Sequence, residues 1–241
     1  MSKRNRSYRS LDTSPASKPK VESIKTVTTT SIPKKYELTD QIRVAYGRTF
    51  HRIRALHDFG SVRAGDFGGW IEKESNLSHA GICWVASEAR VYGNAKIRDN
   101  ALVTDSARVY GDAEVYDDAR LYGYAKVYDQ AKVYGKAQMA DDGRVYGSGL
   151  LFGEAKVYGN GRIHGNGSAC DHVRVFGGGH LFGHAAASEN SQVYGHGRVY
   201  AHVKIAGDER VSNMRDIKRV VHGMIPQGRH AMGEARMDSV H

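Results

Sequence analysis

The 241-residue chain is predicted to adopt an all-β fold built on a six-residue repeat. Every sixth residue from Val85 to Val211 is apolar, which makes twenty-two consecutive units. Ala or Gly lies two residues before the apolar position in 17 units, and Gly or Asp lies two residues after it in 18. Because Gly tolerates positive φ and Asp can hydrogen-bond its own backbone, each unit is predicted to be a short strand followed by a turn.

An α-helix cannot hold this pattern. A six-residue period places successive apolar side chains about 600° apart at 100° per residue, which scatters them around a helix. The chain also has no proline between Pro33 and Pro226, as expected where each strand donates to a backbone ladder. The repeat therefore favours strands over its whole length.

Composition divides the chain into four segments. Residues 1–35 carry nine Lys or Arg against two acids and show no apolar period, so we expect a disordered basic arm. Residues 36–84 are expected to cap the N-terminal end of the repeat region at 85–212, since repeat arrays expose an apolar unit at each end. Residues 213–241 are expected to form a short helix over the last coil and then a mobile tail.

Charge and cysteine content set the expected environment. Most of the net charge of +9 comes from the arm, whereas residues 85–212 contain fifteen basic and fifteen acidic residues. No apolar run approaches a membrane span and the N-terminus lacks the apolar segment of a secretory signal, so no membrane association is expected. Cys83 and Cys170 are too few for a disulfide framework and lack zinc-ligand spacing, which favours a reducing, cytoplasmic location.

The repeat units resemble those of hexapeptide-repeat proteins, which fold as left-handed parallel β-helices. Their unit begins with an aliphatic residue and has a small residue four places on, as in VYGDAE at 109–114 and VYGNGR at 157–162. The resemblance covers about half of the chain and implies a three-sided solenoid of about seven 18-residue coils. Residues 52–92, especially DFGGWIE at 66–72 and NLS at 76–78, also resemble the lead-in of YdcK-like and prophage-type solenoid proteins.

An 18-residue coil sorts the outward positions into columns, because residues 18 apart then stack in neighbouring coils. On one face, the position after the buried aliphatic residue is always a ring, and the position before it is always basic or titratable. The 18-residue period was not used to find the hexads, so these columns independently favour three sides over four. We name this set the stripe, and it comprises Arg90, Tyr92, Arg108, Tyr110, Lys126, Tyr128, Arg144, Tyr146, Arg162, His164, His180, Phe182, Arg198 and Tyr200.

Three interpretations of the stripe are open on sequence alone. Its Arg and Lys side chains could bind an extended anionic polymer on which the rings stack. Stacked rings also stabilise parallel strands, and turn acids such as Asp105, Asp141 and Asp142 could neutralise a structural arginine ladder. Aromatic residues and Arg are enriched at interfaces, so the stripe could instead hold a protein partner or a second copy of the chain.

The resemblance to hexapeptide-repeat proteins also implies an alternative activity. Many of these proteins are trimeric acyltransferases that use acetyl-CoA or another acyl-CoA and a catalytic histidine beside an inserted loop. The twenty-two units contain no inserted loop to wall a substrate pocket, so no cofactor is expected unless this alternative holds. Candidates for the base are His164, His184 and His202, with His172, His180 and His196 as the other histidines of the repeat.

A metal site is not predicted. His184 and His202 lie 18 residues apart and should stack at one corner of the solenoid. Spacing supplies no third ligand to accompany them, and zinc sites in proteins need at least three. Stacked corner histidines are therefore expected to be exposed turn residues.

We therefore expect a non-catalytic β-solenoid that binds or scaffolds other molecules through the stripe, with a phage-derived origin implied by the second resemblance. The rival activities are a CoA-dependent acyltransferase and a secreted effector whose Ser- and Thr-rich basic arm directs export. The expected partner is a second copy of the chain, another protein or an anionic polymer. A homotrimer is expected if the habit of the resembled family holds.

Overall fold

A computed structural model describes residues 33–213 of the protein, and the expected C-terminal helix lies outside this range. Within it the chain is an all-β parallel solenoid of about eight turns, with a single 3-10 turn at Glu74–Asn76. Three longer strands come first: Tyr36–Ala45 (β1), Arg48–Ala55 (β2) and Phe67–Ile71 (β3). No helix in this part of the chain is long and apolar enough to cross a bilayer.

Twenty-two two-residue strands follow and form three parallel sheets. The first sheet continues from β3 through Arg90–Val91 (β5), Arg108–Val109 (β8), Lys126–Val127 (β11), Arg144–Val145 (β14), Arg162–Ile163 (β17), His180–Leu181 (β20) and Arg198–Val199 (β23). The second sheet contains Lys96–Ile97 (β6), Glu114–Val115 (β9), Lys132–Val133 (β12), Leu150–Leu151 (β15), Ser168–Ala169 (β18), Ala186–Ala187 (β21) and Lys204–Ile205 (β24). The third sheet contains Trp84–Val85 (β4), Leu102–Val103 (β7), Arg120–Leu121 (β10), Gln138–Met139 (β13), Lys156–Val157 (β16), Arg174–Val175 (β19), Gln192–Val193 (β22) and Arg210–Val211 (β25).

The register between coils is 18 residues throughout the repeat. Val127 pairs with Val109 in the coil before it and with Val145 in the coil after it. Each coil donates its backbone N–H groups to the carbonyls of the next, as from Tyr110 N to Val127 O at 3.0 Å. The three-sided coil predicted from the columns is therefore confirmed.

Small residues allow the coils to close around a narrow core. The apolar residues of the hexads from Val85 to Ile205 are buried in the interior, and so are the Ala residues two places before them, such as Ala107 and Ala125. Some coils have Gly at this position, and a Cβ on Gly161 would overlap the carbonyl oxygen of Val175. The alternation of aliphatic and small residues in the hexads therefore reflects the limited space inside the coil.

The turns carry a second regular feature, which is a hydrogen bond from one coil to the next. The turn residue has a left-handed backbone, with φ of 56° at Asp105 and 72° at Gly111. Where this residue is acidic, its carboxylate accepts from the backbone N–H one coil later, as from Gly123 to Asp105 at 2.8 Å. The same bond is made by Asp99, Asp117, Asp129, Asp141, Asp171 and Glu189 at 2.8–3.4 Å.

Segment 36–84 forms a hairpin and one further coil. Strands β1 and β2 pair antiparallel, and β2 pairs antiparallel with β3, so the hairpin extends the first sheet beyond its parallel part. Ile71 then pairs with Val91, and Leu77 bridges to Ile97, which starts the parallel ladder before Val85. The solenoid therefore has about eight coils instead of the seven counted from Val85. The eight-residue step from Leu77 to Val85, in place of six, hides this coil from the repeat.

Lys35 belongs to the packed region, although the sequence places it in the basic arm. Its side chain is buried, and its Nζ donates to the carbonyl of Cys83 at 2.8 Å and lies 3.2 Å from the Cys83 sulfur. The carbonyls of Ala80 and Gly81 lie 3.4 and 3.3 Å from the same nitrogen. Burial lowers the pKa of Lys35 and raises the pKa of the Cys83 thiol.

Candidate functional site

The first sheet brings the predicted stripe together as two parallel columns. The residue before each buried aliphatic side chain pairs in register with its equivalent in the next coil, as Arg90 with Arg108 and Lys126 with Arg144. The same register continues through Arg162 and beyond, to the end of the sheet at β23. Seven rungs at the strand spacing extend over roughly 30 Å.

The ring column is one continuous stack. Consecutive ring centroids from Tyr92 to Tyr200 lie 4.8–5.3 Å apart, and the planes differ by 1–13°. The hairpin covers the first ring, because Tyr46 stacks on Tyr92 at 6.1 Å and Phe50 meets it edge-on at 5.4 Å. Each ring face between the ends of the column therefore contacts another ring of the protein.

The spacing of the rings excludes one way in which the stripe could bind a ligand, which is stacking between the rings. A base or sugar inserted between two rings would need roughly 7 Å, since each carbon–carbon contact takes about 3.5 Å. The rings are closer than that, so a ligand cannot stack on them as the sequence suggested. Between the two ends of the column, only ring edges and the tyrosine hydroxyls are left for solvent or a ligand.

Ring stacking also occurs on the other two faces. Tyr116, Tyr134 and Phe152 stack at 4.9 and 5.0 Å on the second sheet. On the third sheet Tyr158, Phe176 and Tyr194 stack at 4.9 and 5.1 Å. Stacked rings are thus a general device of this solenoid, and the basic column is what distinguishes the first sheet.

The basic column has no acidic partner among residues 33–213. None of its members lies within 4.0 Å of a carboxylate, and neither do Arg120, Lys156, Arg174 and Arg210 of the third sheet, whereas Arg98 lies 2.8 Å from Asp99. The first sheet differs from the third in that its basic column is unbroken. The turn acids expected to neutralise the column bond elsewhere, since Asp105 and Asp141 accept from backbone N–H groups of the next coil. Asp142 pairs with none of these residues either.

Local electrostatics follow from this arrangement. Burial, helped by the charge of Arg162, lowers the pKa of His180 to about 4 and also lowers the pKa of His164. Both imidazoles are therefore neutral at pH 7. Burial and the neighbouring Tyr110 raise the pKa of Tyr128 to about 12, so its hydroxyl keeps its proton. The charge of the column at neutral pH is carried by six Arg and Lys side chains.

The stripe ends at β3, where the residue types change. Trp70 takes the position of the basic column beside Arg90, and the Arg43 guanidinium lies 4.3 Å from its ring. Glu72 takes the position of the ring column and accepts from Arg48 at 2.7 Å. The Nε of Arg90 is buried and has no hydrogen-bond partner in the described part of the chain.

The candidate catalytic histidines occupy two different places, the ring stack and a corner of the solenoid. His164 is a member of the ring stack, 4.8 Å from Tyr146. His184 and His202 stack at 4.9 Å on a corner, as their spacing predicts. Within residues 33–213 there is no group of three His, Cys, Asp or Glu side chains that could hold a metal ion.

The sequence did not predict several side-chain contacts, and two of them differ in whether spacing along the chain could have revealed them. His172 Nδ1 lies 3.4 Å from a carboxylate oxygen of Glu154, and the 18-residue spacing of this pair could have revealed it. The contact between Lys35 and Cys83 has no such signal, because it joins the start of the packed chain to an irregular coil.

A depression of about 390 Å³ at the hairpin contains none of the candidate histidines, and it is lined by Glu37, Leu38, Thr39, Asp40, Gln41, Arg54 and Phe67.

Comparison with known proteins gives one limited similarity. No family model matches the chain. A segment of 53 residues, 22% of the chain, is 40% identical to a protein of Escherichia coli (strain K12) described as the uncharacterized acetyltransferase YdcK. The match covers only 16% of that protein's length. Together with the solenoid, this similarity fits a hexapeptide-repeat β-helix family.

Proposed function

We propose that this protein is a non-catalytic binding protein whose first sheet holds an extended anionic partner along the stripe. The observation that carries the proposal is the basic column, in which no member has a carboxylate within 4.0 Å among residues 33–213. The third sheet offers a contrast, since its equivalent column is interrupted by Leu102, Gln138 and Gln192.

An unpaired column of like charges is costly unless something binds to it. Two unit charges at about 4 Å repel by about 1 kcal/mol even in water. Neighbouring members of the column are one strand spacing apart, so the repulsion is repeated along the sheet. A structural face gains nothing from this repulsion, whereas a bound polyanion removes it and releases its own counterions.

The test compares two charge reversals in the full-length protein. Arg108→Glu with Arg144→Glu changes the stripe, and Arg120→Glu with Lys156→Glu makes the same charge change on the third sheet. Each pair lies two coils apart in its sheet, so the two double variants are matched. The basic arm is present in both variants, so it contributes equally to the two affinities that are compared.

The expected result is a selective loss of affinity for labelled heparin, measured by fluorescence anisotropy. The stripe variant should bind roughly a hundredfold more weakly, since two charge-assisted hydrogen bonds contribute about 1.5 kcal/mol each at least. The third-sheet variant should stay close to wild type. Affinity of the wild type should also fall with salt. If both double variants lose the same affinity for heparin, binding depends only on net charge, and a site on the stripe is refuted.

The second candidate function is a CoA-dependent acyltransferase. Its support is the 53-residue similarity to a protein that carries an acetyltransferase name. This activity predicts thermal stabilisation by acetyl-CoA and an assembly, a trimer by the habit of the resembled family, that light scattering would detect. It also predicts loss of coenzyme A release after replacement of His164, His184 or His202 by Ala. A monomer that acetyl-CoA does not stabilise would count against it.

A further inference from the structure

The ring column constrains what kind of polymer the stripe can hold. Proteins that bind single-stranded nucleic acid combine a basic groove with aromatic faces, and each stacked base adds about 1–3 kcal/mol. From Tyr92 to Tyr200 the ring faces are occupied by neighbouring rings at 4.8–5.3 Å. The stripe therefore lacks the contact on which that mode of binding depends.

The first four rungs expose a different group, a column of hydroxyls. Tyr92, Tyr110, Tyr128 and Tyr146 are consecutive in the stack and half-buried. In the described part of the chain their hydroxyls form no hydrogen bond to the protein, unlike that of Tyr36, which donates to the carbonyls of Glu74 and Leu77. Four free hydroxyls thus run beside four basic side chains.

The two columns differ in what they can bind. Arg and Lys only donate hydrogen bonds, whereas a phenol both donates and accepts. A ligand that uses both the donor and the acceptor of each phenol carries anionic oxygens and hydroxyl groups of its own along an extended chain. Inorganic polyphosphate would accept from the tyrosine hydroxyls but would leave their acceptor oxygens unused, and the phosphates of a duplex wind away from a straight column.

We infer that the ligand of the stripe is an acidic polysaccharide, bound by its carboxylate or sulfate groups and its hydroxyls across β5, β8, β11 and β14. This inference rests on the proposed function and names its ligand class. The basic side chains of these strands, Arg90, Arg108, Lys126 and Arg144, would contact the anionic groups. The tyrosine hydroxyls would contact the sugar hydroxyls along the edge of the ring stack.

The experiment uses full-length protein and three labelled probes. Heparin oligosaccharides supply sulfate groups, oligogalacturonates supply carboxylates, and oligo(dT) of matched charge supplies phosphates with bases. Affinity for the oligosaccharide should rise with length up to a chain that spans four rungs, roughly 15 Å, and then level off. Oligo(dT) should bind at least tenfold more weakly than the better of the two sugars.

Paired Tyr→Phe variants test the hydroxyls without breaking the stack. Tyr110→Phe with Tyr128→Phe should weaken oligosaccharide binding about fivefold per hydroxyl, the equivalent of about 1 kcal/mol each. The matched control is Tyr116→Phe with Tyr134→Phe, a pair that stacks at the same 4.9 Å on the second sheet. The control should leave the affinity unchanged, and both variants should melt near the wild-type temperature.

The possible results separate this inference from the proposed function. If oligo(dT) binds as tightly as the sugars and the Arg108→Glu, Arg144→Glu variant loses it, the stripe binds polyanions but the polysaccharide assignment is overturned. Oligosaccharide binding that is indifferent to loss of the two hydroxyls also overturns it. If none of the three probes binds through the stripe, the proposed function fails as well.

Discussion

Replacing Val127 by Asp tests the register of the solenoid most directly. Val127 is fully buried in mid-solenoid, between Val109 of the coil before and Val145 of the coil after. Losing the burial of the valine side chain costs about 2 kcal/mol. Keeping the new carboxyl neutral at pH 7, about three pH units above its ordinary pKa, costs about 4 kcal/mol more.

The expected total of about 6 kcal/mol is comparable to the whole stability of many domains, about 5–15 kcal/mol. Val127→Asp should therefore unfold the coils around it at pH 7. The effect has a defined sign with pH, because a buried carboxyl has a raised pKa in the folded state. The charge penalty is absent below the unfolded pKa of about 3.9 and grows as pH rises towards neutrality.

The assay is urea unfolding followed by circular dichroism at pH 4 and pH 7, each compared with wild type at the same pH. The control is Gln130→Asp, which adds the same side chain at an exposed corner three residues away. Relative to wild type at the same pH, Val127→Asp should be far less stable at pH 7 than at pH 4. A urea midpoint at pH 7 equal to that of wild type would show that Val127 does not face the core.

Three further changes test other contacts. Asp141→Ala removes the hydrogen bond from Gly159 N at 3.0 Å and places Ala at a φ of 52°. Urea unfolding should therefore show a loss of stability of about 2 kcal/mol. Asp141→Asn should keep most of the wild-type stability. Lys35→Met leaves three backbone carbonyls without their donor and should lower stability by about 3 kcal/mol in the same assay, and an unchanged midpoint would contradict the buried contact. Burial and the hydrogen bond to Asp171 raise the pKa of Cys170 to about 11, so its alkylation rate should rise about tenfold per pH unit from pH 8 to 10 and should not level off near pH 9.

The six-residue repeat is enough to predict the solenoid. Six-residue spacing specifies a strand and a turn, and two uniform columns at 18-residue spacing specify three sides. The coil that contains Ile71 and Leu77 escaped this reasoning, because the step to Val85 is eight residues. Periodicity in a sequence reveals only units of constant length. A coil of irregular length is recognised in the structure, from the strands with which it pairs.

The candidate site was predictable in its positions but not in its chemistry. Spacing placed Tyr110 above Tyr92 and Arg108 above Arg90, and the structure has both pairs. The strand spacing was available from the sequence, but the orientation of the rings was not, and only the structure shows parallel ring faces 4.9 Å apart that exclude an inserted base. The sequence also could not tell that Asp105 would bond to a turn N–H instead of an arginine.

The amino-acid sequence thus specifies the strands, the turns, the three faces and the order of side chains along each face. A constant repeat does this because it returns every residue to the same place in the coil. Apart from pairs at 18-residue spacing, such as His172 with Glu154, only the folded structure shows which side chains contact one another across coils and which are left for a partner. That outcome depends on distances and directions between side chains of different hexad positions, such as the buried Lys35 beside Cys83, and no spacing along the chain encodes them.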